Sequence, residues 1–296
     1  MLSGMEINKV AVLGAGVLGS QIALVTAIRG FEVVSWDISE EAVEAASQRY
    51  DKFGHRIAAE VDDIDERAVA EGRSRLSLTT DLAAAVRDAD LVIEAVPENL
   101  AIKREVWAKV GAAAPARAIF ATNTSTLLPS DFAEATGRAE QFLALHFANL
   151  IWKNNTAEVM PHKGTDPAYV DILGEFAERI GMVPIKLKKE QPGYVLNTLL
   201  VPFLEAGMYL VGSDIAEPAD VDLDWRNSTG SPMGPFETID MIGLRTVKAV
   251  RETRPNDAEW YKNFGALVDS MIEKGHVGQE AGQGFFTYDD DGNIVG

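Results

Sequence analysis

The sequence predicts an α/β chain in two parts: a parallel sheet with crossover helices over residues 1–189, then an all-α part over residues 190–296. Three observations carry that prediction. Short apolar runs alternate with helical patterns through the first part, the signature of parallel strands joined by helices. A glycine-rich turn, "GAGVLG", joins the first of these runs to the first helix. After "KKEQPG" the strand pattern stops and only helical periodicity follows.

The elements come in order. "KVAVLG" reads as a strand and "VLGSQIALVTAIRG" as a helix closed by Gly30. "FEVVSWD" is a second strand, and "SEEAVEAASQRYDKFGHRIAAE" begins a long helix with Ser39 as its N-cap. "ADLVIEAV" and "RAIFATN" are further strands, separated by the helical "ENLAIKREVWAKVGAAA". "QFLALHF", "TAEVM" and "MVPIKL" extend the strand signal to residue 187. Beyond 190, "YVLNTLLVPFLEAGMYLVG", "GPFETIDMIGLRTVKAVRET" and "EWYKNFGALVDSMIEKG" are helical. Their apolar surface is large for so short a segment, so the second part is expected to form a homodimer.

Composition narrows the function. With 47% hydrophobic and 24% charged residues among 296, the chain has material for a packed core. A net charge of −18 argues against a nucleic-acid surface. The absence of cysteine excludes disulfides, thiolate metal sites and thiol nucleophiles, and no His/carboxylate cluster shows metal-ligand spacing, so no metal is expected. No run reaches the roughly 18 apolar residues of a membrane span. "MLSGMEINKV", where Met5 is expected to be a more natural start than Met1, has no basic region followed by an apolar one. A cytoplasmic protein without membrane contact is expected.

Gly14, Gly16 and Gly19 sit between a strand and a helix. Gly14 permits the tight turn, Gly16 lets backbone approach a pyrophosphate, and Gly19 brings helix against strand. The amides of Val17 and Leu18 open the helix and face the phosphates. Asp37, at the end of the second strand, can bind ribose hydroxyls and would repel a 2′-phosphate, so NAD is expected over NADP. Glu94 ends a strand at the same edge. Glu98 and Lys103 are candidates for the cofactor site, against the plainer readings of a first-turn acid and, for Lys103 and Arg104, solvated helix charges. Asn123, Thr124, Ser125 and Thr126 follow another strand; they can hydrogen-bond a substrate oxygen or the nicotinamide, or equally cap the next helix. His146 ends an apolar run and Glu158 follows twelve residues later. They read as a general base with its orienting acid, or as a structural histidine with its partner.

Together these stretches resemble the L-3-hydroxyacyl-CoA dehydrogenase family. "GAGVLGSQIA", "ADLVIEAVPENLAIKREVW", "ATNTSTL", "LALHFAN", "AEVM", "PGYVLNTLLVPFLEA" and "SPMGPFETIDMIGL" arrive in the family's order over essentially the whole chain. The resemblance implies an N-terminal Rossmann-like NAD-binding domain and a C-terminal helical domain that binds substrate and dimerises. It implies His146 as catalytic base, Glu158 as the group that orients it, and Ser125 and Asn197 as contacts to the reacting oxygen. Asn149 joins the cofactor site on the same ground. Arg49, Lys52 and Arg56 share a helix face at i, i+3 and i+7, and the family's CoA site draws on basic residues in this region, so they are candidates for the phosphates. The implied reaction is NAD-dependent oxidation of a short-chain (S)-3-hydroxyacyl-CoA, such as 3-hydroxybutyryl-CoA, to the 3-ketoacyl-CoA, and its reverse.

The chain departs from the family after the histidine. Where the family reads "HFFNP", this sequence has "HFANL", with Ala148 for Phe and Leu150 for Pro, and the loop continues through Trp152, Lys153, Asn154 and Asn155. Losing proline frees φ and restores an N–H at 150. Lys153 adds a cation that is either a solvated loop charge or a partner for a substrate carboxylate. The second expectation is therefore a free 3-hydroxy acid, as in the related L-gulonate and carnitine dehydrogenases. A non-catalytic protein on this fold, as in a lens crystallin, is a third. His55, His162 and His276 are expected on surfaces or in loops, and the closing "GHVGQEAGQGFFTYDDDG" in structural packing.

Overall fold

The computed structural model describes residues 6–254, 256–289 and 292–295; Met1, Met5 and the acids Asp290 and Asp291 of the closing segment lie outside the described residues. The chain divides into two compact units between Val195 and Leu196.

The N-terminal unit alternates strands and helices as β1 (Lys9–Leu13), α1 (Val17–Ile28), β2 (Glu32–Trp36), α2 (Glu40–Glu60), α3 (Glu66–Ser74), β3 (Leu76–Thr79) and α4 (Leu82–Val86). It continues with β4 (Leu91–Glu94), α5 (Leu100–Ala113), β5 (Ile119–Thr122), β6 (Phe142–Phe147), β7 (Thr156–Pro161), α6 (Pro167–Arg179) and β8 (Val183–Lys186). The strands form one sheet in the order β3-β2-β1-β4-β5-β6-β7-β8. Successive residues of β1 point to opposite faces. Val10 and Val12 enter the core that holds Ile22, Tyr50 and Phe176, while Ala11 and Leu13 enter the one that holds Trp107, Phe120 and Phe142. Helices cover both faces, which is why these strands read as continuous apolar runs.

The expected all-parallel arrangement holds from β3 through β6, but β7 runs antiparallel to β6. The cause is connection length. Residues 148–155 are too few for a parallel crossover, which needs about a dozen residues or more, so the chain folds back as a hairpin. That hairpin puts His146 directly opposite Glu158. The weakly patterned α3, β3 and α4 also lie outside the sequence expectation. β3 is a four-residue edge strand, LSLT, with only Leu76 buried, too short and too exposed to show a period.

The C-terminal unit is helical: α7 (Leu196–Gly212), α8 (Pro218–Thr229), α9 (Pro235–Ile242), α10 (Leu244–Glu252) and α11 (Glu259–Glu273). Its core gathers Leu204, Phe236, Ile239, Leu244, Phe264 and Val268. Gly243, at φ 90°, breaks the single helix that the pattern suggests into α9 and α10. The buried Asp222 carboxylate, on α8, accepts the amides of Phe236 and Glu237 at 3.0 and 2.7 Å and so caps α9. Asp240 holds the described part of the closing segment through the amides of Phe285 and Phe286. Among the described residues no helix is long and apolar enough to cross a membrane.

Candidate active site

The chain leaves β1, turns through Gly14 and enters α1, at the place where the sheet order reverses between β1 and β4. Open α/β sheets bind their ligands at such a crevice. Gly14 sits at φ 95°, and a Cβ there would lie 2.5 Å from Ala95 O. A Cβ on Gly19 would lie 1.8 Å from Gly14 O, so only glycine lets α1 close on the turn. At Gly16 nothing lies within 4 Å of the Cβ position, and that open face is where backbone can meet a pyrophosphate. Asp37 Oδ2 accepts Ala15 N at 2.7 Å and Oδ1 accepts Ile38 N at 2.7 Å, fixing the carboxylate at the end of β2. These features fit a dinucleotide. A cleft of about 260 Å³ runs alongside, lined by Gly16–Gly19, Ala95, Val96, Glu98, Asn123 and Ser125. Val17 and Leu18 therefore belong to the cleft wall with the glycines.

Beneath the cleft lies a buried charge network whose extent the sequence expectation missed. Lys103 is 1% exposed and no solvated helix charge. Its Nζ lies 2.6 Å from Glu94 Oε1 and 3.2 Å from Glu98 Oε2. Glu94, itself fully buried, also accepts from Thr122 Oγ1 at 2.8 Å and Trp107 Nε1 at 3.3 Å. Lys103 thus supports the cleft from below. The signal was present in α5: Lys103, Val106, Trp107 and Val110 form its buried stripe, and a lysine in an apolar stripe needs a buried partner.

Glu98 precedes the Asn99 cap of α5 and is no first-turn acid. Its Oε1 accepts Thr124 Oγ1 at 2.5 Å and the amides of Ser125 and Thr126 at 3.0 and 2.8 Å. It therefore shapes the turn after β5, where no α-helix follows for Thr or Ser to cap. Burial pushes the Glu98 carboxyl up, but the Thr124 hydrogen bond, the Lys103 charge and the Thr126 bonds outweigh it and hold the group at about 2, against an ordinary 4.5. A depressed folded-state value means that Glu98 stabilises the fold fully above 4.5 and loses that contribution as pH falls through about 2. Glu98→Gln should thus melt below the parent at pH 7, with the gap narrowing steadily between pH 4.5 and 2. A gap independent of pH in thermal melts would show that the charge does not matter.

Ser125, at this turn, connects the cleft to the hairpin. Its Oγ lies 3.2 Å from His146 Nε2, and His146 Nδ1 lies 2.9 Å from Glu158 Oε2. The other Glu158 oxygen accepts Val195 N at 2.9 Å. Both members of the pair are 4% exposed. With the proton on Nδ1 facing the carboxylate, Nε2 is left as an acceptor aimed at Ser125, a residue of the cleft wall. Asn123 lines the cleft and also braces β6, its Oδ1 accepting Phe147 N at 2.9 Å. Tyr194, absent from the sequence expectation, stacks on the His146 ring at 4.4 Å.

The other candidates have separate surroundings. Asn197 is the second residue of α7, in the C-terminal unit. Asn149 is exposed in the loop after β6, its carbonyl accepting Asn154 Nδ2 at 2.7 Å. The three basic residues of α2 do not form one free face. Arg49 Nη1 donates to Ala15 O at 2.9 Å, in the glycine turn. Arg56 pairs with Glu60 at 3.0 Å and lies over the Trp152 ring, while Lys52 is exposed. Lys153 is 60% exposed in its side chain and 4.0 Å from Glu60. Leu150 sits at φ 58°, which a proline ring forbids, and its N–H donates to the buried Gln21 Oε1 at 2.8 Å. His162 is in a loop as expected but buried, facing Ala139 O at 2.9 Å; His55 is exposed.

A doubly wound domain with this glycine turn, an acid fixed at the end of β2 and a histidine–carboxylate pair bonded to a residue of the cleft defines an NAD-dependent oxidoreductase. Comparison with known proteins specifies which. The NAD-binding domain of 3-hydroxyacyl-CoA dehydrogenases matches residues 9–191, and the C-terminal domain of the same enzymes matches residues 193–288. The chain belongs to the 3-hydroxyacyl-CoA dehydrogenase family. It is 32% identical to the mitochondrial hydroxyacyl-coenzyme A dehydrogenase of Mus musculus, over 95% of this chain and 91% of that one. It is also 32% identical to a probable 3-hydroxybutyryl-CoA dehydrogenase of Bacillus subtilis, over 97% and 99%. Among solved structures it is similar to a diketoreductase described in the catalysis of dicarbonyl compounds. That match has 48% identity and a TM-score of 0.91, and covers 95% of this chain and 99% of the other.

Proposed function

We propose that the chain interconverts a 3-hydroxyacyl compound and its 3-oxo form, with a short-chain (S)-3-hydroxyacyl-CoA such as 3-hydroxybutyryl-CoA as first substrate. The observation that carries the reading is the Glu158–His146–Ser125 chain, which ends on a residue of the cofactor cleft. NAD, when bound, supplies the hydride acceptor. His146 Nε2 takes the hydroxyl proton during oxidation and returns it during reduction. Glu158 fixes the tautomer and stabilises the imidazolium. Ser125 holds the reacting oxygen through a preorganised hydrogen bond.

A second reading keeps the chemistry and removes the CoA, leaving a free 3-hydroxy acid or a small dicarbonyl compound. The engaged guanidinium groups of Arg49 and Arg56 support it, because a CoA phosphate would have to compete with Ala15 O and Glu60 for them. The rebuilt loop at Leu150 and the likeness to the diketoreductase support it as well. NADH oxidation with acetoacetyl-CoA, acetoacetate, dehydrogulonate (the ketone form of L-gulonate) and 2,4-pentanedione at equal concentration separates the two. Turnover of the thioester alone supports the first reading, turnover of the small compounds alone supports the second, and no turnover of any removes both.

The C-terminal unit leaves Leu199 on α7 and Leu223 on α8 exposed, which supports a homodimer formed through this unit. A stable monomer in sedimentation at micromolar concentration would count against it. The cytoplasm is the compartment we propose; recovery in an organelle or membrane fraction on cell fractionation would move it.

A further inference from the structure

The geometry points to Tyr194 as a positioning residue whose ring holds the His146 imidazole in line with Ser125. This rests on the reading of His146 as the base. Tyr194 is 1% exposed. Its ring lies nearly parallel to the imidazole, with 4.4 Å between centroids and 13° between planes. The hydroxyl donates to Thr124 O at 2.7 Å, on the residue before Ser125. The next amide, of Val195, donates to Glu158 Oε1 at 2.9 Å. One short segment therefore touches every part of the relay: Glu158 through its backbone, His146 through its ring, and the Ser125 turn through its hydroxyl.

The arrangement answers a geometric need. The bond from Nδ1 to Glu158 fixes one end of the imidazole but leaves the ring free to rock about that bond. A flat aromatic face removes the rocking motion, so that Nε2 stays aimed at Ser125 Oγ. The same face attracts the imidazolium that forms when the proton is taken. Tyr194 adopts φ 54°, a conformation rare for a residue with a side chain, directly after Gly193 at φ 80°. Burial, then the carboxylates of Glu98, Glu158, Glu94 and Glu190, push its phenol above the ordinary range. It remains an O–H donor to Thr124 throughout the working pH range, and the ring stays anchored.

The test compares the parent, Tyr194→Phe, Tyr194→Leu and His146→Ala, using whichever of acetoacetyl-CoA or 2,4-pentanedione the parent turns over. The readouts are kcat against pH, KM, and NADH affinity by fluorescence. Tyr194→Leu should lose about 10- to 100-fold in kcat, as expected for a misplaced catalytic group. KM and NADH affinity should stay close to parental, and the alkaline limb of the kcat profile, where reduction loses the imidazolium that gives up its proton, should move to lower pH because that imidazolium has lost its aromatic face. Tyr194→Phe, which keeps the ring, should recover most of the loss. A parental kcat in Tyr194→Leu, or a Tyr194→Phe as impaired as Tyr194→Leu, would overturn the inference. Should Tyr194→Leu fail to fold, Tyr194→Met, which keeps an apolar side chain of similar reach but no ring, takes its place. A lower kcat at unchanged NADH affinity then supports the proposal, and a parental kcat overturns it. His146→Ala keeps the two claims apart. If it is active, the base assignment fails and the Tyr194 inference with it; if it is inactive while Tyr194→Leu works like the parent, only the inference fails.

Discussion

Replacing His146 with alanine should lower kcat by about 10²- to 10⁴-fold while NADH affinity stays within about twofold of the parent. The two effects separate because of position. His146 lies on β6 and bonds Ser125 and Glu158, whereas the glycine turn and Asp37 lie between β1 and α2 on the other side of the crevice. On the proposed reading, removing the imidazole takes away the group that exchanges the hydroxyl proton, and among the described residues no other titratable group bonds Ser125 Oγ. The Glu158 carboxylate keeps the Val195 amide, so the hairpin retains part of its polar pairing. Stopped-flow NADH oxidation together with fluorescence titration of NADH checks both halves. A variant with parental kcat would remove His146 from the role of base.

Replacing Lys103 with methionine should destabilise the N-terminal unit by about 3–5 kcal/mol, the usual cost of stripping one partner from a buried ion pair. Methionine fills the volume of the stem but leaves two carboxylates facing an empty site. Glu94 suffers most: it is fully buried, and its Thr122, Trp107 and Val96 bonds do not neutralise the charge. The damage should reach the cleft, because Glu98 loses the cation that helps to hold it ionised against the turn carrying Ser125. Adding Glu94→Gln to Lys103→Met should recover part of the stability, which a simple packing defect would not allow. Calorimetry gives a direct reading, with the melting temperature falling by about 10 °C for a unit of this size. A single variant that melts with the parent would show that the pair contributes nothing.

Much of this site is legible before folding, and the legible part has a common character. The glycine turn is readable because each glycine answers a local constraint: a positive φ at Gly14, or a backbone approach at Gly19 that any Cβ would block. The His146–Glu158 pair is readable because a short loop between two strands makes a hairpin, and a hairpin converts spacing along the chain into position across the sheet. Lys103 lies between the two cases. Its buried stripe on α5 is visible in the sequence, but its partners Glu94 and Glu98 are identified only once β4 ends beside that helix. Arg49 and Arg56 show the limit of periodicity. Their spacing places them on one face of α2, yet one guanidinium reaches the glycine turn and the other stacks on Trp152, from a loop roughly a hundred residues away along the chain.

The sequence by itself determined the alternating domain, the helical segment after it, the cofactor turn and the histidine–carboxylate pair, because each is set by interactions among residues close in the chain or by a regular period. The tertiary structure alone decided that Lys103 is buried between two acids, that the Arg49 and Arg56 side chains are engaged, and that Tyr194 lies flat on His146. Those outcomes depend on which distant surfaces meet. A lysine, an arginine or a tyrosine has the same local preferences whether it faces water or a carboxylate, so its own stretch of chain carries no record of the partner it will find.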